Sequence, residues 1–263
     1  MFSSFMTNAW IVGTVVALLA GATGFFVVMR GSSFAAHAIP NGAFAGAAGA
    51  ALVGVTPLAG LVTFAVAASV GIGASRRHRS DVATALALVM MLALGAAFLS
   101  LSAAYEPQVE ALLFGEILGV ATTPILPVVG IASACALALA LMYRPLLYNA
   151  AAPDLAAVRG LNPQFLEMGF MLTLALGAAL TVPVVGALLT FSLTVGPPAA
   201  ARLVTRRPAS ALVVSMALSV LTLWGSIAAS YQSNLPVGFF VGSLSAAVYV
   251  LARILTRVRR RRV

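Results

Sequence analysis

Residues 82–99 read VATALALVMMLALGAAFL, eighteen consecutive positions without a charge. At 1.5 Å per residue such a run forms a helix about 27 Å long, close to the ~30 Å hydrocarbon thickness of a bilayer. It does not alternate apolar with polar residues, as the ~10-residue strands of a membrane β-barrel do. The run from Ile11 to Leu19 behaves in the same way. Lipid offers no partner to bare backbone N–H and C=O groups, so segments of this kind must cross as helices.

Similar runs recur outward in both directions, at roughly 8–29, 35–53, 57–75, 122–143, 164–182, 184–201, 209–229 and 235–253, with 82–99 inside a span of roughly 81–103. Of the 263 residues 62% are hydrophobic and 8% charged, with a mean hydropathy of +1.07. A soluble domain carries about 25% charged residues, so this chain has no polar coat with which to face water. The expected fold is all-α, a polytopic transmembrane helix bundle of eight to nine spans, with residues 1–263 forming a single membrane domain. The count is open at two places. Glu110 to Val120 is too short and too charged to span, and Pro183 with Pro197 and Pro198 makes 184–201 a candidate broken or re-entrant helix. No repeat of 20–50 residues is visible, and the N-terminus lacks the positive region of a cleaved signal peptide.

All 15 basic residues are Arg, and the net charge is +9. Nearly all sit at segment ends: Arg30, the Arg76-Arg77-His78-Arg79 cluster, Arg144, Arg159, Arg202, Arg206, Arg207, and Arg253 to Arg262. Basic residues beside apolar spans set orientation and meet anionic lipid, so the partner implied is membrane lipid and not nucleic acid. Placing residues 1–9 outside sends every Arg cluster to the cytoplasmic face, which predicts an N-out, C-in topology. His78, within its Arg cluster, is expected to be solvated.

Missing residues limit the chemistry. A phosphate-binding P-loop needs a Lys, and the chain has none. Neither His37 nor His78 lies in an HExxH motif, and the Ser residues at 32, 33 and 243 lie in sequence of packing type. Cys135 stands alone in an apolar segment, so no disulfide can form within the chain and it is read as a packing residue. Pairs of small residues four apart, Gly42 with Gly46, Gly46 with Ala50 and Gly238 with Gly242, predict tight helix seams, within the chain or against a second copy. Transport, and not catalysis, is the expected function.

The connection from Arg144 to Pro163 is the longest stretch without a span. It reads as a short capped helix: Pro153 suits the first helical position, Asp154 the positive end of the dipole, Arg159 the negative end and Gly160 the C-cap. It either simply joins two spans or docks a cytoplasmic partner. A chain that cannot bind ATP through a P-loop would need such a partner as its motor.

Several stretches in order resemble the metal-type permeases of ATP-binding-cassette importers. They are Arg30 with Ala36-His37-Ala38 and Gly42; Leu113-Phe114-Gly115-Glu116-Ile117-Leu118-Gly119-Val120, similar to the LFGxILxV stretch; Tyr143-Arg144-Pro145-Leu146-Leu147-Tyr148; Asp154-Leu155-Ala156 to Arg159-Gly160; Val185-Gly186-Ala187-Leu188-Leu189; Pro198-Ala199-Ala200-Ala201-Arg202-Leu203; and Leu235-Pro236-Val237-Gly238. The family takes up zinc, manganese or iron and shares the type II importer plan of cobalamin and siderophore permeases. The resemblance implies that Pro153, Asp154, Leu155, Ala156, Arg159 and Gly160 form a cytoplasmic coupling helix. It further implies two copies of this chain, a separate ATPase subunit, an extracytoplasmic metal-binding protein, and a multi-pass place in the cytoplasmic (inner) membrane of a bacterium. No covalently bound cofactor is implied, only a transported divalent metal ion. A permease of the same plan for a metal chelate or siderophore is the alternative.

Within this resemblance His37 is the candidate ion-pathway residue. An ionisable side chain inside a span is costly enough to mark function by default, and imidazole suits first-row metals. A hydrogen-bonded structural role is the competing reading. Many family members carry an Asp four residues before this His, where the chain has Ser33. Their Leu-Pro-Gly is replaced by Ile39-Pro40-Asn41-Gly42, and Ala152 stands where an Asp is common. Asn41 and Glu116 are therefore the expected sources of oxygen ligands, with Glu116 also readable as a solvated or interhelical residue.

Overall fold

A computed structural model describes residues 4–75, 80–101, 113, 115, 125–152, 160, 162–233 and 235–261. Glu116, His78, Pro153, Asp154, Leu155, Ala156 and Arg159 lie outside the described residues. The described residues form nine α-helices and no strand: α1 (Ser4–Arg30), α2 (Ser33–Val53), α3 (Pro57–Ser75), α4 (Ser80–Ser100), α5 (Ile125–Ala151), α6 (Pro163–Val185), α7 (Ala187–Val204), α8 (Pro208–Ser233) and α9 (Val237–Arg261). Each overlaps one of the apolar segments read from the sequence. Five of them, over Thr7–Arg30, Leu126–Ala151, Pro163–Val185, Pro208–Ser233 and Val237–Val258, are long and apolar enough to cross a membrane.

Two helices outrun their predicted ends. α5 passes through Arg144 and Pro145 to Ala151, although Pro145 has no N–H for the turn before it. Leu146, completely buried, ties the continuation to the bundle and outweighs the lost bond. α9 runs on to Arg261.

The interruption suggested by the prolines falls between α6 and α7, at Gly186. Its φ of 91° and ψ of 152° lie in a region essentially confined to glycine. Gly186 donates its N–H to the Val182 carbonyl (2.8 Å) and accepts from the Thr190 N–H (3.0 Å), so α6 ends and α7 begins on one residue. The pair is a hairpin: Glu167 near the start of α6 pairs with Arg30, and Arg202 near the end of α7 donates to the Val28 carbonyl (3.2 Å). Both feet thus meet the C-terminal end of α1. Gly115 packs on the hairpin tip, where a Cβ would come within 2.7 Å of the Val184 oxygen and 2.8 Å of the Gly186 nitrogen.

α1, α2, α6 and α7 form the centre. α2 packs on α3, α4, α6 and α7, and α1 packs on α5, α6, α7 and α8, while α9 lies against α7 and α8. The predicted small-residue seam is internal to the chain. A Cβ on Gly46 would fall on the backbone oxygen of Gly60 in α3, and a Cβ on Gly60 would come within 2.6 Å of the Ala50 Cβ. Cβ-free positions let the two backbones touch where the hydrophobic effect cannot press helices together. A buried aromatic group ties α1 to its neighbours: Phe26 makes edge contacts with Phe25, Tyr143 and Phe170.

Candidate functional site

His37 stands one turn into α2, and the centre of its ring lies 5.0 Å from that of Phe191 on α7, at 67°. The ring is half-buried, and its Nδ1 is buried without a hydrogen-bond partner. Asn41, one turn on and completely buried, donates Nδ2 to the His37 carbonyl at 2.7 Å. Its Oδ1 is left buried and unpartnered. Residues i and i+4 share a helix face, so α2 carries an unpartnered nitrogen and an unpartnered oxygen one turn apart, both able to accept a hydrogen bond or a cation. A buried polar atom left unsatisfied costs on the order of 1–3 kcal/mol, so both are open to a ligand.

Pro40 lies between them in sequence but on the adjoining face. Lacking an N–H, it has nothing to give the Ala36 carbonyl. Ala36 and Pro40 line a small cavity with Thr23 of α1, Thr181 of α6, and Thr190 and Thr194 of α7. Each of these four hydroxyls donates to a carbonyl one turn back, at 2.7–2.8 Å. What they keep is acceptor capacity, in a space with room for about one water. The polar lining sits mid-bundle, beside a proline-weakened turn of the helix that carries His37.

Phe191 also lines a larger groove between α7 and α9, with Ser192, Val195, Gly242, Ser245 and Tyr249. Phe191 therefore stands between His37 and a space that opens to the outside of the chain.

Among the described residues no group of three His, Cys, Asp or Glu lies close enough to hold a metal ion. The structure brings His37 and Asn41 together and has Ser33 a turn before them, partly buried. Glu116 lies outside the described residues. Of the predicted coupling segment, Gly160 is described: it is exposed with φ +74°, a left-handed value that favours glycine. Cys135 is buried against the Thr173 carbonyl (4.0 Å), in keeping with a packing role.

Sequence reasoning missed Phe191, the threonine cluster and the partner of Arg30. Only the last left a signal: Glu167 is an acid inside a predicted span, which by itself marks a site. The others are residues of ordinary type that only the α6–α7 hairpin gathers.

Residues 2–256 match the model of the ABC 3 transport family. The chain is 27% identical over 252 residues to the "Manganese transport system membrane protein MntC" of Listeria monocytogenes, covering 95% of this chain and 90% of that one. It is 25% identical over 258 residues to the "Probable iron transport system membrane protein" of Haemophilus influenzae, covering 97% and 95%. Its fold is similar to PsaBC from Streptococcus pneumoniae in complex with Fab, with a TM-score of 0.86 and 25% identity over 96% of this chain and 91% of that one. A helical bundle built round a broken hairpin and matched from end to end leaves one conclusion: the chain belongs to the ABC 3 transport family.

Proposed function

We propose that this chain is the membrane permease subunit of an ATP-driven importer of divalent transition-metal ions, with manganese or iron as cargo. The observation that carries the reading is the open pair on α2, His37 Nδ1 and Asn41 Oδ1, two buried acceptors without a hydrogen-bond partner. Family membership and the manganese and iron transport named for its relatives support it.

Two neutral ligands hold a divalent ion weakly, and weak binding is what a passage needs, since the ion must leave as readily as it enters. Two copies facing each other across a two-fold axis would double the set to two imidazoles and two amides, with Ser33 hydroxyls one turn away. Glu116 would add a carboxylate near the outer mouth. Phe191, wedged between His37 and the α7–α9 groove, would shift as the copies rock. The permease forms one domain, residues 1–263, N-out and C-in in the inner membrane, with eight to nine spans. The cytoplasmic face then carries Arg30, Gly160, Glu167 and Arg202. Residues 153–160 are the coupling helix gripped by a separate ATPase, and an extracytoplasmic metal-binding protein delivers the ion.

The test is uptake of radiolabelled manganese and iron into proteoliposomes holding the chain with its ATPase and binding protein. His37→Ala should cut the rate by roughly tenfold or more, the scale of a lost ligand contact, while leaving assembly and thermal stability near the parent's. Parental uptake by the variant would return His37 to a packing role.

A further inference from the structure

The Arg30 guanidinium is paired with the Glu167 carboxylate, and the two side chains are only 6% and 14% exposed. Phe170, one turn along α6 from Glu167, lies with its ring centre 5.2 Å from the guanidinium carbon. Nε and Nη1 of Arg30 are buried with no hydrogen-bond partner. Such a pair is a poor source of stability, because desolvating two charges roughly cancels their attraction, and unsatisfied N–H donors add to the cost. Nor is it needed to hold down the end of α1, since Arg202 from α7 already reaches the Val28 carbonyl there. Stability does not explain it.

Its position does. Glu167 stands in the second turn of α6, whose start is fixed by Asn162: the side-chain oxygen accepts from the N–H groups of Gln164 (3.0 Å) and Phe165 (3.3 Å). The capped first turn makes the foot of α6 one firm unit, so any movement of that foot carries Glu167 with it. On the other side Arg30 is joined to α2 by Gly31 and Ser32 alone. Ser32 donates its N–H to Val27 (2.9 Å) and accepts from Ala36 (3.1 Å), locking the end of α1 to the first turn of α2, one residue from His37.

We propose that the Arg30–Glu167 pair is the latch that transmits movement of the foot of α6 to the helix carrying His37. This makes Arg30 and Glu167 positioning residues for the transport proposed above, a reading on which the inference rests. The unspent Nε and Nη1 donors give the guanidinium a second set of bonds to make when α6 shifts, as a two-state element requires.

The experiment measures metal ions moved per ATP hydrolysed in proteoliposomes of the complete complex, alongside the unfolding temperature. Replacing both partners by apolar residues of similar volume, Arg30→Met with Glu167→Met, removes these two buried charges together, so the variant should fold with a stability near the parent's. Its ions-per-ATP ratio should nevertheless fall by roughly fivefold, with ATP hydrolysis persisting. A Met pair that folds and keeps the parental ratio overturns the latch. Should the Met pair not fold, Arg30→Lys, which keeps the charge but not the planar fork, is read by the same ratio with the same two outcomes. Failure of the parent complex to move metal would instead sink the importer reading itself.

Discussion

α1 and α6 differ from α5 and α9 in a way their composition conceals. All four are long apolar helices, yet 67% of the span in α1 and 72% of that in α6 is buried within the chain, against 22% in α5 and 28% in α9. In water such a difference would follow hydropathy. In lipid it does not, because the tails outside are as apolar as the neighbours inside. What separates the two groups is their place in the bundle: α1 and α6 each pack on at least four helices, α5 on α1 and α6, and α9 chiefly on α7 and α8. The interior faces of α1 and α6 mix small residues, Ala17, Ala20, Ala175 and Ala178, with Phe25, Phe26, Phe170 and Met171 and with Thr23, Thr173 and Thr181. The outer faces show Leu126, Leu137 and Leu141 on α5 and Phe239, Leu251 and Leu255 on α9.

The comparison breaks most sharply at glycines. Gly46→Leu forces a side chain into the Gly60 backbone and should cost about 3 kcal/mol or more, the upper end of overpacking. Gly130→Leu on α5 meets nothing within 4 Å and should gain up to about 0.8 kcal/mol from helix propensity. Thermal unfolding in nanodiscs reads both. Equal effects at the two positions would mean that the α2–α3 seam is not the close contact described.

A second contrast uses side-chain removal. Phe26→Ala empties a site walled by Phe25, Tyr143 and Phe170. The hydrophobic transfer contribution is absent in lipid, but a cavity of about 100 Å³ at about 24 cal/mol per Å³ still costs about 2 kcal/mol. Leu137→Ala, 61% exposed, is refilled by a lipid tail and should stay within about 0.5 kcal/mol. Denaturation by a harsh detergent, followed by loss of Trp fluorescence, would rank the two.

The same contrast explains what could be read in advance. Runs such as 82–99 determined helix type and approximate bounds, because the thickness of lipid and the need to pair backbone groups leave few options. Gly42, Gly46 and Ala50 announced a seam, though only the structure gave it Gly60 as partner. His37 stood out because an imidazole inside a span has few excuses, and Asn41 entered only as a substitute oxygen; that its amide bonds back to the His37 carbonyl is seen in the structure alone. Phe191 was not, since nothing in an apolar run tells which Phe will return to α2 after the chain reverses at Gly186. Arg30 was read as an orientation mark, and its burial against Glu167 depends on a hairpin foot that lies 137 residues further on.

The smallest expected effect probes the border between the two regions. Trp224 on α8 is 43% exposed, and its indole Nε1 donates to the Thr14 hydroxyl of α1 at 2.9 Å, while its ring meets Trp10 edge-on at 5.8 Å. Thr14 in turn donates to the Trp10 carbonyl at 2.7 Å, so Thr14→Val removes one interhelical bond and leaves the volume almost unchanged. Interhelical hydrogen bonds in membranes average about 0.6 kcal/mol, because a released indole finds other partners, and that is the loss expected in the nanodisc unfolding experiment. At an exposed border the indole can turn to the headgroup region. A loss of about 2 kcal/mol or more would place Trp224 instead in the buried interior, where an orphaned N–H has nowhere to go.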